Sequence, residues 1–163
     1  MLYEGNAHRF GDNVTTDDVI AGKYKHKTMD LDELAMHLME NIHPDFVAGV
    51  KPGDFIVAGA NFGCGSSREQ AAQIIKHVGI TAVVAPSFAR IFFRNAINIG
   101  LLLVTCDTRD IQQGDLVQYF PDDLRLEVPA RGLIFATPRL APQIMEIVAA
   151  GGLLAYIKEK GGW

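Results

Sequence analysis

Short apolar runs separated by polar and glycine-rich breaks follow one another along this chain, and their spacing predicts its elements. Residues 1–10 are mixed in character and predict a strand leading into the turn Gly11-Asp12-Asn13. Residues 13–20 concentrate polar side chains between apolar ones, which predicts a loop or strand end lining a site. Leu31, Leu34, Ala35, Leu38, Met39 and Ile42 then recur at helical spacing. Asp30 and Glu33 resemble a capping box in front of them, and Pro44 predicts the end of that helix.

Beyond Pro52 the order is more regular. Residues 55–58 form a compact apolar strand, followed by the glycine-rich turn 59–65. A helix is predicted from Ser66 or Ser67 to about 77, with His77 suited to its negative end. Residues 80–85 predict a second strand, Ser87 a cap for a helix reaching Asn98 and ended by Gly100, and 101–104 a third strand. This succession implies parallel pairing through right-handed crossovers. Residues 115–119 and 124–128 predict strands about the turn Pro121-Asp122-Asp123, and 132–137 a further one. A last helix follows at about 141–150, continued beyond Gly151-Gly152 to Lys160. The predicted class is a single α/β domain over 1–163: a parallel strand–helix core with an antiparallel β appendage.

Composition narrows the function classes. Of the 163 residues, 48% are hydrophobic and 21% charged, which fits a folded domain and excludes a disordered one. Fifteen Lys+Arg against nineteen Asp+Glu give a net charge of -4, and no dense basic block marks a nucleic-acid binder. Apolar runs such as 99–104 fall short of the ~18 residues of a membrane span, and the first residues lack a secretory signal. A cytoplasmic domain is expected. Two cysteines, Cys64 and Cys106, cannot build a disulfide framework or alone hold a Cys-only iron–sulfur or zinc site, so no cofactor is expected on this chain.

The segment Asn61-Phe62-Gly63-Cys64-Gly65-Ser66-Ser67-Arg68-Glu69-Gln70 carries the most chemistry. A glycine turn running into a helix start lets backbone N–H groups meet an anion. Two hydroxyls and a guanidinium beside it suit a carboxylate or phosphate. Ser66 with Glu69 also reads as a plain capping box, which explains one Ser and the Glu but not three glycines around a cysteine or the Arg. The segment matches neither a Walker A loop nor Gly-x-Gly-x-x-Gly. Cys64 reads as a packed small residue rather than a nucleophile, and Cys106 as a strand-end core residue. His8, His37, His43 and His77 lack metal-ligand spacing and read as surface or capping residues. Tyr24-Lys25-His26-Lys27-Thr28 is a basic loop in an acidic protein, either a solvated charge run or a patch that reads a carboxylate.

Taken with Thr16-Asp17 upstream and Ser87-Phe88-Ala89-Arg90-Ile91-Phe92-Phe93-Arg94-Asn95 downstream, Gly63-Cys64-Gly65-Ser66-Ser67-Arg68-Glu69 resembles the swivelling β/β/α domain of the aconitase superfamily. The stand-alone length resembles the small subunits of 3-isopropylmalate dehydratase and its homoaconitase relatives. That resemblance covers about 7–135 and implies a hydro-lyase that works on a small hydroxy-carboxylic acid by dehydration and rehydration. It also implies a large partner subunit carrying a 4Fe–4S cluster, over whose substrate this chain closes. By the same resemblance Ser66 is the base, Ser67 and Arg68 bind substrate carboxylate, and Asp17 is an acidic residue of the site. Lys25, His26, Lys27 and Thr28 would read the group that differs among substrates.

Some relatives carry an Arg where His26 stands. Its absence leaves two acids open: lysine stems and Tyr24 could border an isopropyl group, or the cations could meet an additional carboxylate. Isopropylmalate is the expected substrate, with homoaconitase and methylmalate-type acids as alternatives. A non-catalytic anion-binding module is the rival of another class. The isolated chain is further expected to pair with a second copy through its partner-facing surface.

Overall fold

The computed structural model describes residues 1–161; Gly162, Trp163 and the side chain of Lys25 lie outside the described residues. Its centre is three short parallel strands, β2 (Phe55–Val57), β3 (Ala82–Ala85) and β4 (Leu102–Thr105). They are almost wholly apolar because both faces of this sheet are covered. Alternation splits their side chains between two cores. Ile56, Val83 and Leu103 pack on the helix side, while Phe55, Val57, Val84, Leu102 and Val104 face the other way.

On the helix side lie α5 (Glu69–His77) and α6 (Arg90–Ile99). Their buried residues, Ala71, Ala72, Ile74 and Ile75 on one and Phe92, Ala96 and Ile97 on the other, fall at helical spacing. The opposite core is closed by the antiparallel strands β5 (Leu116–Phe120), β6 (Arg125–Val128) and β7 (Leu133–Ala136), through Val117, Tyr119, Leu126 and Val128. A curled seven-stranded mixed sheet in the order β4-β3-β2-β1-β5-β6-β7 therefore covers itself.

The strand β1 (Tyr3–Arg9) joins the two halves. Tyr3 to Asn6 pair antiparallel with β5, and Ala7 to Arg9 pair parallel with β2. The C-terminal helices α7 (Pro142–Ala149) and α8 (Leu153–Lys160) pack against α6. Lys76 Nζ holds them there by donating to Ile99 O at 2.5 Å and Gly151 O at 2.9 Å.

Four local expectations give way. Residues 13–20 are not a plain loop: Thr15 caps a one-turn helix, α1 (Thr16–Val19), in a reciprocal box with Asp18. The basic loop likewise contains a helical turn, α2 (Gly22–Lys25). The helix expected through Ile42 stops as α3 (Leu31–Ala35), where Asp30 caps Asp32 N rather than boxing with Glu33. Met39 takes φ +61 so that its N–H can donate to Val19 O at 2.9 Å, which breaks the helical run; α4 (Phe46–Gly49) follows Pro44. Finally, α5 starts at Glu69 and α6 at Arg90, without side-chain caps from Ser66 or Ser87. Ser87 Oγ instead accepts from Asn61 N at 2.8 Å.

Among the histidines, His77 is exposed in the last turn of α5 as expected, its Nε2 2.6 Å from Asp32 Oδ1, whereas His43 packs among Phe10 and Phe46. His8 is buried, and its Nε2 donates to Asp54 Oδ2 at 2.8 Å. Asp54 also accepts from Asn6 N and Lys51 N, so one carboxylate ties β1 to the turn before β2. Burial pushes the Asp54 carboxyl up, but His8 and the two N–H groups outweigh it and hold it below its ordinary 3.8. A depressed carboxylate contributes stability above its unfolded value and loses it as pH falls through the folded one. Denaturant unfolding should therefore show stability falling as pH drops below 3.8. Asp54→Asn should cost ~3 kcal/mol at neutral pH and flatten that acid slope.

Candidate active site

The loops that leave β1 and β2 stay paired beyond the strands. Phe10 N donates to Val57 O, Gly59 N to Gly11 O, Asn13 N to Ala60 O, Gly63 N to Val14 O and Thr16 N to Cys64 O, all at 2.8–2.9 Å. Asn13 and Asn61 make the necessary left-handed turns, at φ +55 and +60, and Asn61 Nδ2 donates to Asn13 Oδ1 at 3.0 Å. Gly63 sits at φ +83 with the Phe92 ring where a Cβ would lie, so no other residue fits that turn. The result is a hydrogen-bonded seam between 10–16 and 57–64.

The candidate residues hang on this seam. Thr16 is buried, and its Oγ1 donates to Ser66 O at 2.8 Å. Asp17, the next residue on α1, forms an ion pair with Arg68. The same Arg68 nitrogen donates to Ile20 O at 3.0 Å. Its side chain is only 12% exposed, and its guanidinium is pressed against Gly22, where an added Cβ would lie 3.1 Å from Nη2. These contacts explain the late start of α5. Arg68 is drawn back toward α1 with an extended backbone (φ -132, ψ 105), which holds 66–68 off the helix axis.

Ser66 and Ser67 are consequently exposed, and among the described residues neither hydroxyl makes a side-chain hydrogen bond. The Glu69 and Gln70 N–H groups behind them precede the first bond of α5, which runs from Ala71 N to Arg68 O. Two exposed hydroxyls thus directly precede, in the chain, a fixed and largely buried Arg68 and the start of α5. Such a set can bind a carboxylate and hold a negative charge on a nearby oxygen.

The remaining predicted residues lie on the adjoining segment. His26 and Lys27 are exposed at the end of α2, with Lys27 Nζ 5.7 Å from the Tyr24 ring. Thr28 Oγ1 is engaged locally, accepting from Asp30 N at 3.0 Å. The Lys25 side chain lies outside the described residues. Thr16 belonged to a recognised motif but had no predicted role; the Thr15-x-x-Asp18 box is the sequence signal for α1.

A cavity of about 670 Å³ lies elsewhere, between the ends of β2–β4 and the end of β7. Its polar groups are engaged: Arg109 with Asp107 at 2.6 Å, and Thr108 Oγ1 with Ala58 O at 2.6 Å. Burial, helped by Asp107, pushes the Cys106 thiol up to about 12, so it stays protonated and inert. Cys64 is half-buried with Sγ 3.9 Å from Val14 O. Among the described residues no three His, Cys, Asp or Glu side chains gather as metal ligands. No described helix is long and apolar enough to cross a membrane.

Comparison with known proteins places this geometry among relatives. The model of the aconitase C-terminal domain matches residues 9–109. The chain is 55% identical over 155 residues to the methanogen homoaconitase small subunit of Methanothermobacter thermautotrophicus, covering 95% of this chain and 90% of that protein. It is 47% identical over 160 residues to the 3-isopropylmalate dehydratase small subunit of Halothermothrix orenii, covering 97% and 96%. A crystal structure described as 3-isopropylmalate dehydratase from Methanocaldococcus jannaschii superposes with a TM-score of 0.95 at 47% identity, covering 99% of this chain and 96% of that one. The curled sheet, with its parallel core and antiparallel flank, is the fold of that structure.

The tie from Thr16 to Ser66 can be tested alone. Thr16→Val keeps the shape and leaves a carbonyl without its donor. It should cost ~1–2 kcal/mol in a denaturant titration with an unchanged slope.

Proposed function

The chain belongs to the aconitase C-terminal domain family, and from that premise we propose that it is the small subunit of a heteromeric hydro-lyase. Its substrate is a hydroxy di- or tricarboxylic acid, 3-isopropylmalate first. One observation supports this most: Arg68, next in the chain to the two exposed serines of the glycine turn, is held by Asp17 and Ile20 O. A large partner subunit supplies the 4Fe–4S cluster that the dehydration needs, and no cluster ligand is assigned to this chain.

The roles of this chain concern the proton and the carboxylate. Ser66 takes the proton from the carbon beside the carboxylate and returns it on rehydration. A serine is a weak base, so its alkoxide depends on the N–H groups at the start of α5 and on the Arg68 charge. Ser67 and Arg68 hold a substrate carboxylate. Asp17 orients Arg68 and keeps its guanidinium from swinging into solvent. Two free thiols accord with a reducing cytoplasm as the working compartment. Away from its partner the chain is proposed to pair with a second copy through the same serine-bearing face.

The exposed His26 and Lys27 on the segment beside Arg68 favour a second reading, a homoaconitase-type tricarboxylic acid. An anaerobic assay separates these readings: co-express the chain with cluster-bearing large subunits and offer isopropylmalate, homocitrate-type, citrate and methylmalate-type acids. Turnover only with both chains present establishes the half-enzyme, and the preferred acid identifies it. Carboxylate binding by this chain alone, without turnover alongside any cluster-loaded partner, establishes the anion-binding module instead. In the active complex Ser66→Ala should lower kcat by roughly 10²–10⁴-fold with assembly intact. Arg68→Lys, which loses the planar fork, should raise KM about tenfold.

A further inference from the structure

Beside the proposed catalytic residues, one carboxylate gathers several partners from the basic segment and the turn below it. Tyr24 Oη donates to Glu40 Oε1, and His37 Nδ1 meets Glu40 Oε2 at 2.7 Å. The Tyr24 and His37 rings stack at 3.8 Å between centroids, 13° from parallel. Lys23 Nζ lies 3.9 Å from Glu40 and 4.9 Å from the centre of the Tyr24 ring, and Lys27 Nζ approaches the same ring. Hydrogen bonds from Tyr24 and His37 hold the Glu40 carboxyl below its ordinary range, so it is ionised at neutral pH.

The position of this cluster matters more than its strength. Its lower half is fastened to α1: Met39 N donates to Val19 O at 2.9 Å, and Asn41 Nδ2 to the carbonyl of Asp17 at 3.3 Å. Its upper half follows directly from Gly22, which abuts the Arg68 guanidinium. A closed path of contacts thus runs from Arg68 through Gly22, Tyr24, Glu40 and Met39 back to α1 and Asp17.

We infer that Tyr24, His37 and Glu40 are positioning residues that fasten the 22–28 segment beside Arg68 and so set which acid the site accepts. The inference rests on the small-subunit reading above. The latch also explains the charge balance of the segment. Glu40 faces Lys23, while His26 and Lys27 remain exposed for a substrate group. With the latch open, Arg68, Asp17 and the serines keep their seam contacts, but the segment that borders the substrate loses its fixed distance from them.

Glu40→Gln and Tyr24→Phe test this, the second keeping the stacked ring while removing one donor. Trypsin cuts after Lys23, Lys25 and Lys27, so digestion of the full chain reads the latch without any turnover. Loss of one charge-assisted hydrogen bond corresponds to about tenfold. Glu40→Gln should therefore speed cleavage in 22–28 about tenfold at an unchanged melting temperature. In the complex with its large subunit it should raise KM about tenfold and change the ratio of kcat/KM between two acids, with kcat within about twofold. Tyr24→Phe should fall between wild type and Glu40→Gln. Unchanged cleavage overturns the latch, and faster cleavage with unchanged KM and acid preference overturns its role in selection. A wild-type complex that turns over none of the acids overturns the small-subunit reading, and the digestion still decides the latch.

Discussion

The interaction on which the rest depends is the backbone ladder that continues from β1 and β2 into their loops. Five N–H to C=O bonds, from Phe10–Val57 to Thr16–Cys64, carry sheet-like order from the end of β1 at Arg9 on to Thr16. Buried peptide groups must be paired, and here they are paired across two loops that would otherwise be free to move. The cost is a set of unusual backbone angles at Asn13, Asn61 and Gly63. Residues that tolerate left-handed conformations occupy each of those positions.

Everything chemical follows from where this seam ends. Thr16 takes Ser66 O, Asp17 and Ile20 O take Arg68, and α5 is left to begin at Glu69. A capping box at Ser66 would have spent its hydroxyl on the helix. Delaying the helix leaves both hydroxyls facing solvent with the first N–H groups of α5 close behind. Because Asp17 is more than half exposed and screened by solvent, its ion pair with the largely buried Arg68 serves orientation more than stability. The guanidinium is thus placed before any substrate carboxylate arrives, which reduces the ordering that binding requires.

Much of this was legible in the sequence, for physical reasons that differ by region. The parallel core could be read because β2, β3 and β4 are buried on both faces and so appear as unbroken apolar runs. The late half of the 31–42 stretch could not, since its periodicity was right while Met39 bends to reach Val19 O. His8 gave no hint of burial because its partner Asp54 stands 46 residues away. The same distance problem hid the contact between Arg68 and α1, although both motifs were visible singly. Tyr24, His37 and Glu40 were invisible as a group because two of them lie on a turn that helical spacing had assigned to a helix face.

A preassembled seam makes a direct demand on the isolated chain, before any partner or substrate is present. Hydrogen–deuterium exchange of the Asn13, Gly63 and Thr16 amides tests it, because those three N–H groups are the loop rungs nearest the candidate residues. Exchange as slow as that of the β1–β2 amides is the expected result, and it would show that the site is built by the fold. Exchange at the rate of an open loop would contradict it, and would mean that the partner subunit assembles the site.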